Sequence, residues 1–325
     1  LHGFPELAYS WRKIMLPLAA AGFHVIAPDQ RGYGATTGWS DSYDAPLTPF
    51  HMLNLVKDAT SLLAQLNIGH VHAVIGHDYG SAVAGWCALT RPDIFQRVAF
   101  MSAPFTGAPT ALNANLKVMA ALEQLPQPRH HYQAYYGTRA ANDNMRYAPQ
   151  GLHAFLRAYY HMKSADWPEN QPKALAAASA EELARLPTYY VMPSGLGMAE
   201  TVAPHLPSAN AIATCRWLPD AELSVYAKEY ERTGFQGGLQ WYRCGLNSTH
   251  AQELMALAAQ KVNLPACFIS GASDWGVYQS PGAVDKMQQQ TCTDFRLLRL
   301  IPGAGHWVQQ EQPEAVTQTL LSFLS

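Results

Sequence analysis

The 325-residue chain has no apolar run approaching the ~20 residues that a membrane-spanning helix needs, and no block of like charge. Charged residues make up only 14% and the formal net charge is -2, which excludes a basic field for nucleic acid or an anionic membrane and predicts a small uncharged ligand. Cysteine is sparse too. Cys87, Cys215, Cys244, Cys267 and Cys292 are five in number, widely spaced and without metal-type spacing. That excludes a disulfide scaffold and reads as packing thiols in a reducing, cytoplasmic setting. Neither a metal nor a cofactor is expected. An initiator Met is missing as well: the chain opens in mid-fold at Leu1-His2-Gly3, so a preceding segment, a signal peptide included, is expected to be absent. What remains is 48% apolar and globular, long enough to predict one large α/β domain with an inserted subdomain.

The most informative stretch is Val71 to Ser81, Val-His-Ala-Val-Ile-Gly-His-Asp-Tyr-Gly-Ser. An apolar β-branched run meets Gly76-His77-Asp78-Tyr79-Gly80, and apolar positions at helical spacing follow, so a strand, a sharp turn and a helix are predicted with Asp78 at the apex. Small residues on both sides let backbone pass close and leave one side chain exposed above a sheet, the frame of a nucleophile elbow. A carboxylate at that apex gains little by attacking a carbonyl, because the product is a reactive anhydride. Displacement at a saturated carbon instead gives a stable alkyl ester, so the electrophile is expected to be an epoxide or a halide.

Around this stretch, strand and helix signals alternate. Ser10 is a plausible N-cap for a helix from Trp11 to Ala21, and Phe23 to Pro28 reads as a strand closing in the glycine-rich loop Asp29-Gln30-Arg31-Gly32-Tyr33-Gly34. Asp29 and Arg31 are expected to brace that loop by ion pairing. Thr48 to Leu66 has helical periodicity, and Val98 to Met101 is a short buried strand. The pattern predicts a mostly parallel sheet covered on both faces. From about Pro109 to Cys244 it gives way to helical and aromatic stretches, the signature of an inserted helical cap. Strand signals return at Ala266 to Ser270 and Phe295 to Ile301, with helices from about Ala283 and from Pro313 to Leu324. The predicted organisation is a core of residues 1–108 and 245–325 with a cap of residues 109–244.

Two acid or base candidates follow the returning strands: Asp274 in Gly-Ala-Ser-Asp, and His306 in Gly-Ala-Gly-His-Trp. Singly, each is more often a turn or structural residue. Together with Asp78 they give the order nucleophile, acid, histidine on loops at the carboxyl edge of a sheet, the order of an α/β-hydrolase triad.

The motifs His2-Gly3-Phe4-Pro5, Gly76-His77-Asp78-Tyr79-Gly80, Gln240-Trp241-Tyr242-Arg243 and Gly305-His306-Trp307 together resemble the epoxide hydrolases of the α/β-hydrolase family. The resemblance implies that Phe4 and Tyr79 donate backbone N–H groups to an oxyanion, and that two cap tyrosines activate the epoxide oxygen. The second maps to Tyr242. The first maps to Tyr132 through a Tyr-Gln-x-Tyr match, with Tyr135 and Tyr136 as alternatives. It further implies roughly two dozen residues before the His-Gly turn, forming strands that include one inside the sheet, so N-terminal strands are expected to be missing here. Relatives often carry Trp where this chain has Tyr79, a change expected to alter pocket shape more than chemistry. The rival readings are a haloalkane or haloacid dehalogenase, which would need halide donors in place of acid phenols, and a ligand-sensing protein that keeps the shell without turnover.

Overall fold

In the computed structural model, which describes residues 1–112 and 114–325, the centre is a four-stranded parallel sheet. Its strands are β1 (Val74–His77), β2 (Val98–Met101), β5 (Val262–Gly271) and β6 (Cys292–Ile301), in the order β1-β2-β5-β6. A separate antiparallel ribbon pairs β3 (Arg129–His131) with β4 (Val191–Pro193).

The two-residue period of a strand divides the core in two. On one face Val98, Phe100, Ala266 and Phe268 pack with Val83, Ala84 and Cys87 of the elbow helix, Tyr79–Thr90. On the other, Ala99, Met101, Cys267 and Ile269 meet Ile14 and Leu18 of the helix Arg12–Ala20, and Val316, Leu320 and Phe323 of the closing helix Pro313–Leu324. Residues of both periods are fully buried, as a parallel sheet covered on both faces requires.

The stretch between β2 and β5 is mostly helical. The helix Leu152–Lys163 packs on Asp220–Thr233, and Gln236–Gly245 folds back onto the core. That return depends on glycine: a Cβ on Gly237 would lie 2.1 Å from the Gly32 carbonyl oxygen, so only glycine lets the two backbones meet.

Four local expectations are corrected. Phe23 to Pro28 is not a strand. An apolar cavity of about 480 Å³, lined by Val25, Ile26, Ala73 and Ile75 among others, adjoins both it and β1, so the run has no neighbour at strand spacing. The ribbon β3/β4 was not anticipated, because three-residue strands are too short to display a period. The first helix begins at Arg12 after a 3-10 turn, Ala8–Trp11, and Ser10 Oγ shares a 2.8 Å hydrogen bond with the Tyr226 hydroxyl instead of capping. Finally, Arg31 pairs with Asp58 at 2.6 Å, while the Asp29 carboxylate accepts from the backbone of Ala8 and Ala35 at 2.8 and 3.0 Å. Arg31 braces the loop by an ion pair as expected, and Asp29 braces it through backbone donors instead.

Candidate active site

Asp78 follows β1 immediately and has φ 54 and ψ -122, a strained conformation for a residue with a side chain, costing about 1–3 kcal/mol. The surroundings hold it there. A Cβ on Gly76 would sit 2.1 Å from the Gly80 carbonyl oxygen, and one on Gly80 2.3 Å from that of Leu1, so the turn closes only with glycine at both positions. The Asp78 N–H donates to the Met101 carbonyl at 3.0 Å, and its Oδ1 accepts the Phe4 N–H at 3.0 Å. Phe4 therefore reaches the carboxylate through its backbone, whereas no bond from the Tyr79 N–H to that carboxylate occurs among the described residues.

Asp274 and His306 lie on the loops after β5 and β6. Gly271 lets these loops touch, since its Cβ would be 2.1 Å from the Gly305 carbonyl oxygen. His306 Nδ1 is 3.1 and 3.2 Å from the two Asp274 oxygens, and Nε2 is 3.2 Å from Asp78 Oδ2. Asp274 also accepts the Gly276 N–H at 2.7 Å, capping a short 3-10 turn, and the Ser270 hydroxyl at 3.0 Å. Its capping role and its contact with histidine coexist. Burial alone would raise the Asp78 carboxyl, but the imidazole of His306 3.2 Å away, then Lys163 and His77, hold it well below the usual carboxylate range. For His306, burial and Lys163 pull downward, yet Asp274 and Asp78 leave it above its ordinary 6.5.

Over this group stand phenols from the mostly helical stretch between β2 and β5. Tyr132 and Tyr242 are both buried, their rings 5.9 Å apart and edge-on, with Tyr242 also 5.5 Å from Phe4. Burial, then the negative charge of Asp78, raises both phenols well above 10, so they remain proton donors. The alternatives are otherwise engaged: Tyr135 donates to Asn144 Oδ1 at 2.7 Å and Tyr136 to the Tyr159 hydroxyl at 3.1 Å. Tyr79 donates to the Trp241 carbonyl at 2.9 Å, fastening the elbow to the helix that carries Tyr242.

The alpha/beta hydrolase fold profile matches residues 1–313. The chain belongs to the α/β-hydrolase fold family. It is 31% identical to epoxide hydrolase A of Mycobacterium tuberculosis, over 100% of this chain and 88% of that protein. Among solved structures, an epoxide hydrolase from an endophytic Streptomyces superposes with a TM-score of 0.80 at 29% identity, covering 99% of this chain and 87% of that one. Potato epoxide hydrolase I gives 0.75 at 28% identity, over 100% and 91%.

Two features of this family member were not anticipated from sequence. Behind the elbow, the fully buried Glu6 accepts from the Gly3 N–H at 3.1 Å and from Gln309 Nε2 at 2.9 Å, and pairs with His77 Nδ1 at 2.5 Å. His77 Nε2 donates to the His306 carbonyl at 2.7 Å. Both His77 nitrogens thus face acceptors, and His77 draws the Glu6 carboxylate down against the opposing effect of burial. The only sequence signal was Glu6 itself, an acid directly after a His-Gly-Phe-Pro turn. The second feature is a group of His51, His250 and Glu253, with His51 Nδ1 3.1 Å and His250 Nδ1 3.7 Å from the Glu253 carboxylate. Here the Met52 N–H donates to His250 Nε2 at 3.2 Å, which puts the ring proton on Nδ1, the nitrogen a metal would need bare. The donor set fits a proton-sharing clamp and not a metal site.

Proposed function

We propose that the protein hydrolyses a small uncharged epoxide to a vicinal diol through a covalent ester on Asp78. The observation that carries this reading is a carboxylate, not a hydroxyl, at the elbow apex, with His306 and Asp274 behind it and two undissociated phenols in front. Asp78 attacks a ring carbon while Tyr132 and Tyr242 protonate the departing oxygen. An alkoxide is far more basic than a phenol, so this transfer is downhill. His306, oriented by Asp274, then takes a proton from a water that attacks the ester. The tetrahedral oxyanion falls to the N–H groups of Phe4 and Tyr79, worth ~3 kcal/mol per donor by analogy with other such holes. The protons balance: a phenol gives its proton to the alkoxide and regains one after ring opening, from the imidazolium of the resting site or, without it, from solvent, and ester hydrolysis returns that proton from water.

Support for the epoxide over a halide comes from the donors at hand. The indoles of Trp241 and Trp307 donate to the carbonyls of Arg31 and Tyr160 at 2.9 and 2.8 Å, so neither is free to hold a leaving halide. The test is a single turnover in heavy-oxygen water. The first diol released should carry oxygen from the protein carboxylate, and solvent oxygen in that first diol would mean direct water attack.

A further inference from the structure

Lys163 ends the cap helix Leu152–Lys163 and is 3% exposed. Its Nζ lies 5.3, 5.8, 5.1 and 5.4 Å from the ring centres of Tyr159, Tyr189, Tyr190 and Trp307, and among the described residues it makes neither a hydrogen bond nor an ion pair. An ammonium in such a place is costly; four aromatic faces offset part of the cost, but an apolar side chain would fit there without any. The cage adjoins both halves of the site. Tyr190 packs on Tyr132 at 5.3 Å, Trp307 on His306 at 4.8 Å, and the Lys163 carbonyl accepts the His306 N–H at 2.8 Å.

We propose that Lys163 is a positioning residue for the reaction read above: its caged charge makes His306 give up its proton once Asp78 has been esterified, so that histidine is a free base when the ester must be hydrolysed. The charges around His306 explain why this is needed. Asp274 and Asp78 face the imidazole directly, and the Glu6–His77 pair behind it is common to the resting and the alkylated enzyme. Glu311 accepts the Ala165, Gly305 and Trp307 N–H groups, burial raising its carboxyl and those donors lowering it, and its charge is common to the resting and the alkylated enzyme. The phenols of Tyr189 and Tyr190 are raised well above 10 by burial and stay neutral. In the resting site Asp78 and Asp274 oppose Lys163 and an imidazolium. Esterification removes one anion, and the fixed charge of Lys163 then tips the balance against the imidazolium. The same lysine depresses both Asp78 and His306 in the resting enzyme, as a cation close to both must.

The test compares Lys163→Met and Lys163→Arg, each in the full chain and in an Asp78→Asn background, whose uncharged amide stands in for the ester. NMR titration of His306 in the Asp78→Asn protein should move up by about one pH unit with Lys163→Met and stay near its starting value with Lys163→Arg, given a charge several ångströms away in a poorly solvated site. In the full enzyme the acid limb of the ester-hydrolysis phase should rise by the same amount, making that phase about tenfold slower below it, while the alkylation phase keeps its pH profile. If Lys163→Met does not fold, Lys163→Gln makes the same comparison. A His306 titration that neither neutral variant moves, or that Lys163→Arg moves equally, overturns the proposal. The titration uses no substrate, so it stands or falls separately from the epoxide reading, which a missing adduct on Asp78 would refute by itself.

Discussion

Replacing His306 with glutamine should separate the two halves of the reaction. Glutamine is close in length and removes the base, so hydrolysis of the ester should slow by ~100 to 10,000-fold, the usual worth of a positioned general base. The first half should survive. Asp78 loses its 3.2 Å neighbour at Oδ2, and its carboxyl rises as a result, but the Phe4 N–H at 3.0 Å and the charge of Lys163 remain. For half of Asp78 to be protonated at pH 7, its carboxyl would have to stand about three units above the ordinary ~3.9, a cost of ~4 kcal/mol that the remaining donors oppose. Intact mass after brief exposure to an epoxide panel should therefore show an adduct of substrate mass, and peptide mapping should put it on the Asp78 segment. If alkylation is abolished along with turnover while the variant remains folded, His306 acts before the ester forms and the assignment of roles is wrong.

The phenol pair gives a complementary result: Tyr132→Phe or Tyr242→Phe should slow alkylation ten- to a thousandfold with ester hydrolysis nearly untouched, and the double change should be much worse. Tyr135→Phe, whose hydroxyl is bound to Asn144, is the control in rapid-quench measurements. Damage there, with Tyr132→Phe silent, would shift the cap register by one turn. The pH dependence has a definite sign. His306 is raised above 6.5 by Asp274 and Asp78 against burial and Lys163, so in the free enzyme it gains its proton as pH falls through a value above 6.5. In the alkyl-enzyme one of those anions is gone, so the acid limb of ester hydrolysis should fall at lower pH than the free-enzyme titration seen by NMR; coincidence of the two would contradict the assigned order of events.

The sequence carried the elbow because its logic is local. Gly76 and Gly80 are needed within five residues of each other, and a β-branched run before them and a small-residue helix after them leave the apex no other place. Asp274 and His306 were legible through order and through the strands before them. What failed was set by distant partners. Phe23 to Pro28 has strand composition, but a strand needs a neighbour, and the residues facing it form a cavity wall instead. Asp29 found the backbone of Ala8 and Ala35 instead of a cation. Lys163 reads as the last cation of an amphipathic helix, and only its position against Trp307, far along the chain, turns it inward. Glu6 was similarly opaque, since its partners His77 and Gln309 come from opposite ends of the sheet domain.

The loop that carries His306 is pinned from two sides. Its carbonyl accepts from His77 and from the Ser102 hydroxyl at 2.7 and 3.1 Å, both at the ends of sheet strands, while its N–H is held at 2.8 Å by the carbonyl of Lys163 at the end of the helix Leu152–Lys163. A hinged lid would have to break that last bond whenever it lifted, and would unseat the histidine each time. Substrate and diol should therefore come and go while these two parts stay docked, by side chains swinging aside.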